Sequence, residues 1–307
     1  MSVTPPPTAD ERQIDEQTRA PETGRRKPRR GGKIVSSLAL LFLCLVWLLP
    51  TFGLLVSSFR AEDLTKTTGW WTVFANLGDF SQWTLSNYSE VLSAGMGNAF
   101  LNSIAVTVPA VVIPILAAAF AAYAFAWMRF PGREVLFVVV IGLLVVPLQV
   151  AFIPLLRLYS AFGLTGTFPA VWLAHTGFGM PLAVYLLRNY MGSLPGEVVE
   201  SAQVDGASHF QIFWRLMIPL STPVLAAFAI LQFLWVWNDF LIALIFLGST
   251  EANQVVQLVL ANLVGSRGQD WHLLTAGAFI TISVPLIVFF TLQRYFVRGL
   301  TAGSVKG

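Results

Sequence analysis

Cysteine is nearly absent from this 307-residue chain. There is one, Cys44, and it lies in an apolar run. A disulfide framework is therefore excluded. Charge is scarce too: Asp, Glu, Lys and Arg make up 11% of the residues, against 55% that are hydrophobic. A soluble domain so apolar could not cover itself with polar surface, so the chain reads as a polytopic membrane protein. Nucleotide-binding motifs are missing. Gly32-Lys33 is followed by Ile34 and lacks the upstream glycine of a phosphate-cradling loop. The three histidines, His175, His209 and His272, stand far apart without ligand spacing, which leaves a metal site unsupported. No nucleophile motif occurs, no cofactor is expected, and an embedded enzyme has no cluster of catalytic groups to rest on.

What the chain does have is a series of long apolar runs. Residues 1–33 are polar and Pro-rich without apolar period, which predicts a disordered tail. The tail ends in the basic run Arg25-Arg26-Lys27-Pro28-Arg29-Arg30-Gly31-Gly32-Lys33. Such a run beside a span is a topology signal that also touches anionic lipid, so no nucleic-acid partner is needed to explain it. Residues 34–307 form the transmembrane part, with spans expected at about 34–59, 98–127, 135–156, 168–187, 220–247 and 273–296. Each run supplies the roughly 20 apolar residues that a hydrocarbon core requires. Pro109, Pro114, Pro147, Pro154 and Pro285 fall inside spans and suggest bent helices around a cavity. The polar stretch after the first span holds Trp70, Trp71 and Trp83, read as an interfacial belt or a small external cap.

Basic residues set the orientation. One side holds the tail run, Arg129, Arg133, Arg188, Arg215, Arg294, Arg298 and Lys306, and the other only Arg60, Lys66, Arg157 and Arg267. That bias predicts cytoplasmic termini and a cytoplasmic loop over residues 188–219. The loop is polar between two apolar runs, so something aqueous must meet it. Pro195-Gly196 breaks the preceding span. Val199, Ala202, Gly206, Phe210 and Phe213 recur at steps of three and four, as one face of a helix does. Glu197 and Glu200 sit in the first turn, where the helix dipole favours negative charge. Gly206 permits a backbone bend, and Pro219 ends the pattern.

The order of residue types in this loop is more specific than its periodicity. Glu200-Ser201-Ala202, three positions, Gly206, nine positions and Leu216-Met217-Ile218-Pro219 resemble the "EAA" motif of permease subunits in ABC importers. Ser201 replaces the usual alanine and keeps its small size. Asp205, Ala207 and Pro223 also match the version found in sugar importers. The resemblance implies a coupling helix that docks in a cytoplasmic ATPase chain, with Glu200, Ser201, Ala202, Asp205, Gly206, Ala207, Phe213, Leu216 and Pro219 as the coupling residues.

Two other stretches carry chemistry. Asp239, in Trp235-Val236-Trp237-Asn238-Asp239-Phe240, is the one carboxylate placed inside a span. An acid in lipid is costly and should face the bundle interior or water. Asn238 and Asp239 therefore belong either to a translocation path or to a helix-locking network, and an ion-coupled secondary transporter would use Asp239. The C-terminal string from Gln293 to Gly307 resembles that of the smaller permease subunit in maltose-type importers. The resemblance implies an ATPase contact through Gly299, Thr301, Gly303 and Ser304. The outer stretch 254–264 shows helical spacing before a Gly265-Ser266-Arg267-Gly268 turn.

These features lead to one reading: an all-α, six-helix permease of the ABC importer type I fold, in a bacterial inner membrane. The maltose-type resemblance implies import of a carbohydrate such as an α-glucoside. It also implies a second, larger permease, two ATPase chains and an external binding protein as partners.

Overall fold

A computed structural model of the chain describes residues 30–264 and 270–301, with side chains described for 34–264 and 270–293. Among these residues the structure is helical, with one isolated bridge between Arg60 and Trp83. Four helices are long and apolar enough to cross a membrane, at 34–58, 86–127, 168–192 and 271–293. Two bent helix pairs, 133–161 and 209–237, raise the number to six.

The chain divides into two units, Met1–Phe52 and Gly53–Gly307. Helix α1, Arg30–Ser58, is the described part of the first unit and continues into the second. In the second unit α2 (Glu62–Thr67) and two 3₁₀ turns, Trp70–Ala75 and Phe80–Gln82, form a small cap after the first span. Buried Arg60 staples it by donating to the Gly69 carbonyl and to the Thr68 and Thr72 hydroxyls. Next, α3 (Ser86–Val91) runs into a one-turn π-helix that is kinked at Gly95, whose φ of 102° favours glycine. Beyond the kink α4 (Gly97–Trp127) runs unbroken through Pro109 and Pro114.

The third span, expected at about 135–156 with its prolines suggesting a bent helix, is sharply broken. Helix α5 (Arg133–Gly142) and its closing 3₁₀ turn meet α6 (Leu148–Ala161) at a bend of 103°. Pro147 sits at the break with ψ of 127°, because the ring denies the helix a hydrogen bond there. The fourth span, α7 (Phe168–Gly192), runs five residues beyond the expected Leu187. Helices α8 (Gly196–Val204), α9 (His209–Ile212) and α10 (Ile218–Leu220) build the loop, with a π-helical turn at Phe213–Met217.

The fifth span was expected to be continuous over 220–247. It is α11 (Thr222–Trp237), a break at residues 238–240, and a half-helix α12 (Leu241–Phe246). Helix α13 (Val256–Val264) tucks against the bundle, where Ser103 accepts from the Val256 amide and Asn102 donates to the Ala252 and Gln254 carbonyls. Gly265-Ser266-Arg267-Gly268 lies outside the described residues. Helix α14 (Trp271–Thr301) closes the fold.

Helices α4 and α7 pack along one another, and α11 packs on α4 and α14. Small residues make this close approach feasible: Ala118, Ala119 and Ala122 of α4 and Ala183 of α7 are fully buried. Apolar clusters follow one another along the bundle. One joins the ends of α4 and α7 to the loop, a second joins α4, α6, α7 and α12, and a third joins α3, α4, α13 and α14.

Candidate functional site: the 196–219 loop and the break at Asp239

The loop is rigid because its own residues satisfy its helix ends. Helix α8 stops at Gly206, whose φ is 81°. The Gly206 amide donates to the Gln203 carbonyl at 3.0 Å and the Ala207 amide to the Ala202 carbonyl at 2.9 Å. Those two bonds make a Schellman cap, which needs a left-handed residue where Gly206 stands. Ala202 and Ala207 are half-buried against the same apolar cluster. Two residues on, Ser208 opens α9 with a capping box: its Oγ accepts from the Gln211 amide and its own amide donates to Gln211 Oε1.

The loop is also clamped to the spans. Val199, Ile212, Phe213 and Met217 are buried, and Phe213 stacks on Phe120 of α4 at 4.4 Å. Tyr123 Oη and His209 Nδ1 share a hydrogen bond of 2.9 Å. Trp127 at the end of α4 donates to the Met191 carbonyl at the end of α7, and Arg188 lies 4.7 Å from the Phe137 ring.

The single face expected through Val199, Ala202, Gly206, Phe210 and Phe213 divides. Val199, Ala202 and Phe213 pack inward, whereas Gly206 is exposed and Phe210 is 66% exposed. The cause is the turn at Gly206, which changes the helix axis and restarts the phase. Ala202 thus serves the chain's own core. The exposed surface comprises Glu200, Ser201, Val204, Asp205, Gly206, Phe210 and Trp214, with Pro219 exposed further on and Leu216 half-buried. Asp205, Gly206, Ala207, Gln211, Arg215 and Leu216 are among the residues lining a groove of about 340 Å³ beside the turn.

The second region is the helix break. Asn238 donates back to the Leu234 carbonyl and is exposed, while Asp239 is largely buried. Asp239 Oδ2 accepts from the Ala243 amide at 3.1 Å and so caps α12. His175 of α7, 1% exposed, places Nε2 3.8 Å from that same oxygen. Trp235 packs edge-on against the His175 ring at 5.1 Å. Gln232 of α11 donates to the Ala110 and His175 carbonyls, tying three helices together. Ser103, Thr107, His175 and Asp239 line a crevice of about 10 Å³, room for a single water. Among the described residues His175 Nδ1 and Thr176 Oγ1 are buried without partners.

Sequence reasoning placed Asp239 correctly inside the bundle but missed His175, Gln232, Tyr123 and His209, which meet their partners only through the fold. Ser208-x-x-Gln211 was readable as a capping box and was not read. At the C-terminal string, Gly299 and Thr301 lie within the α14 backbone, and Gly303 and Ser304 lie outside the described residues.

With this geometry in hand, the chain can be set beside known proteins. It is 58% identical to the osmoprotective compounds uptake permease protein GgtD of Synechocystis, over 92% of this chain and 95% of that protein. It is 47% identical to the alpha-glucoside transport system permease protein AglG of Rhizobium meliloti, over 88% and 96%. A chain of a bacterial ABC transporter involved in the import of the acidic polysaccharide alginate shares the fold, with a TM-score of 0.59 at 15% identity, over 88% of this chain and 99% of that one. The family model for the binding-protein-dependent transport system inner membrane component matches residues 110–302, which include both the loop and the break. The chain belongs to that family, the membrane-spanning components of binding-protein-dependent transport systems.

Proposed function

We propose that this permease is one half of the membrane channel of an ATP-driven importer, and that the 196–219 loop is where ATPase motion enters it. The observation that carries the reading is a preorganised, exposed turn, Asp205-Gly206, held by a Schellman cap and a capping box on a buried base. A loop that must transmit force has to move as one body with the spans, and Tyr123, Phe120 and Trp127 bind this one to α4 and α7. Exposed apolar Val204 and Phe210 at its tip suit a partner cleft. The ion-coupled alternative needs a titrating Asp239, whereas Asp239 is engaged as the cap of α12 and the family accounts for the loop as well.

The loop end gathers Arg129, Arg133, Arg188 and Arg215, in keeping with a cytoplasmic location for the loop and both termini. A second permease, two ATPase chains and an external binding protein complete the assembly. ATP hydrolysis belongs to the ATPase chains. The substrate is a carbohydrate of the α-glucoside class, a reading supported by the relative named for alpha-glucoside transport.

The test is reconstitution of the whole complex in liposomes with its binding protein, followed by uptake of labelled sucrose, trehalose and maltose with and without internal ATP. ATP-dependent accumulation of at least one is expected, and accumulation of none would remove the α-glucoside assignment. Reporter fusions after Ser208 and after Gly265 should read cytoplasmic and external respectively. The reverse pattern would place the loop where no ATPase reaches it.

A further inference from the structure

We infer that Tyr123 and His209 are positioning residues: their hydrogen bond is the strut that carries displacement of the loop into α4. This rests on the loop being the ATPase contact.

The geometry assigns them this task in three ways. First, among the described residues theirs is the one hydrogen bond that joins α4 to residues 196–219. Apolar contacts supply the rest of the junction, chiefly Phe213 against Phe120 and Tyr123 and Trp214 against Phe120. Apolar contacts resist separation, but they slide, because dispersion is non-directional. A 2.9 Å bond between two particular atoms is directional and fixes the register as well. Second, both partners are themselves held. Tyr123 is 4% exposed and packs in the α4–α7 core. His209 is the first residue of α9, directly after the Ser208 capping box, so a movement of the exposed turn moves its ring.

Third, α4 leads somewhere. From Tyr123 the same helix runs without interruption to Thr107 and Ser103, which line the crevice shared with His175 and Asp239. The distance from Tyr123 to Thr107 is roughly 24 Å at 1.5 Å per residue. A rigid helix grasped at its loop end thus delivers motion to the polar centre of the bundle. Pairs of this kind give a coupling path physical content only if breaking them uncouples the two ends.

The experiment uses the complete complex in liposomes with loaded binding protein. It measures ATP hydrolysis together with uptake of whichever labelled α-glucoside the wild type imports. Tyr123→Phe removes the hydroxyl and keeps the ring on Phe213, and His209→Ala removes the other partner. Both variants should retain their ATPase chains and hydrolyse ATP within about twofold of wild type. Sugar imported per ATP should fall about three- to tenfold, the range one net hydrogen bond spans. The double variant should be no worse than either single one, since both break the same contact. His209→Asn, whose side-chain amide reaches the Nδ1 position, should recover most of the ratio.

A merely structural bond would lower hydrolysis and uptake together and leave their ratio unchanged. That result overturns the strut, as does loss of the ATPase chains from Tyr123→Phe. If instead the wild-type complex contacts its ATPase chains elsewhere, cross-links from Asp205 and Gly206 will miss them. The loop reading then fails on its own, whatever Tyr123→Phe does.

Discussion

At Gly206 and at Asp239 the chain leaves one helix and starts another, yet the two breaks differ in what surrounds them. Around Gly206 the helix ends are satisfied by residues at most a few positions away: Gln203, Ala202, Ser208 and Gln211. Around Asp239 the backbone is also satisfied locally, by the Asn238 and Asp239 amides on the Leu234 and Val236 carbonyls and by the cap on Ala243. The polar surroundings of its side chain, however, come from α4 and α7: Ser103 and Thr107 line the same crevice, and His175 stays 3.8 Å away with a buried nitrogen unpaired. A locally satisfied break keeps its shape when its surroundings change, as a contact for another chain requires. A break whose side chain also faces remote helices changes when those helices move, as a gate or path lining requires.

The sharpest way to break this comparison is at Gly206. Space is open around the position where a Cβ would stand, so a larger side chain meets nothing in this chain. The backbone is another matter, since φ of 81° costs an L-residue about 1–2 kcal/mol. Gly206→Trp should therefore insert in the membrane and pair with its fellow permease, but lose the ATPase chains and all uptake. Gly206→Asn tolerates the left-handed conformation and is small. It should retain the ATPase chains in co-purification and lose less than half of the uptake. If Trp and Asn behave alike, the effect is backbone strain and the turn is not a docking surface.

The same contrast explains what could be read from the sequence. Spans, the polar loop and its bounding prolines follow from local composition, and the motif spacing from Glu200 to Pro219 located the turn. Bent helices were expected at five prolines, but which of them would break a span could not be read, because a proline can also be absorbed by a continuous helix: Pro147 stands at a 103° bend while the helix runs through Pro109 and Pro114. The face through Phe210 failed because a period of 3.6 residues holds only while the axis is straight, and the axis turns at Gly206. His175 with Asp239, and Tyr123 with His209, are pairs 64 and 86 residues apart, respectively, so no window of sequence contains them.

A milder effect is expected at the break. Asp239→Asn keeps an oxygen for the Ala243 amide and nearly the same volume, so uptake should stay within about twofold of wild type. Asp239→Ala removes the cap, which is worth about 1 kcal/mol, and takes the carboxylate away from His175 Nε2. It should lower uptake several-fold and the midpoint of thermal unfolding in detergent by a few degrees. Abolished uptake in an assembled Asp239→Asn complex would show that the charge itself matters, and would make the break an ionic site.

The smallest effect belongs to Ser208, and it bears on why the loop is rigid. Both halves of the capping box lie on the exposed side of the loop, so removing them opens no cavity. Ser208→Ala leaves the Gln211 amide to water, while the amide of residue 208 can still donate to Gln211 Oε1. The expected cost is about 1 kcal/mol of local helix stability. Global stability should hardly change, because Phe213, Ile212 and Met217 still bury the base of the loop. Local opening should rise by about fivefold, the factor such an energy sets, and amide hydrogen exchange at residues 209–212 reports it. Gln211→Ala removes the other bond of the box and should give a similar increase, and the double variant, which loses both bonds, should show the larger rise. Exchange unchanged in all three would mean that the buried aromatic base alone sets the stiffness of the loop. The difference between the two breaks would then lie in burial rather than in local hydrogen bonding.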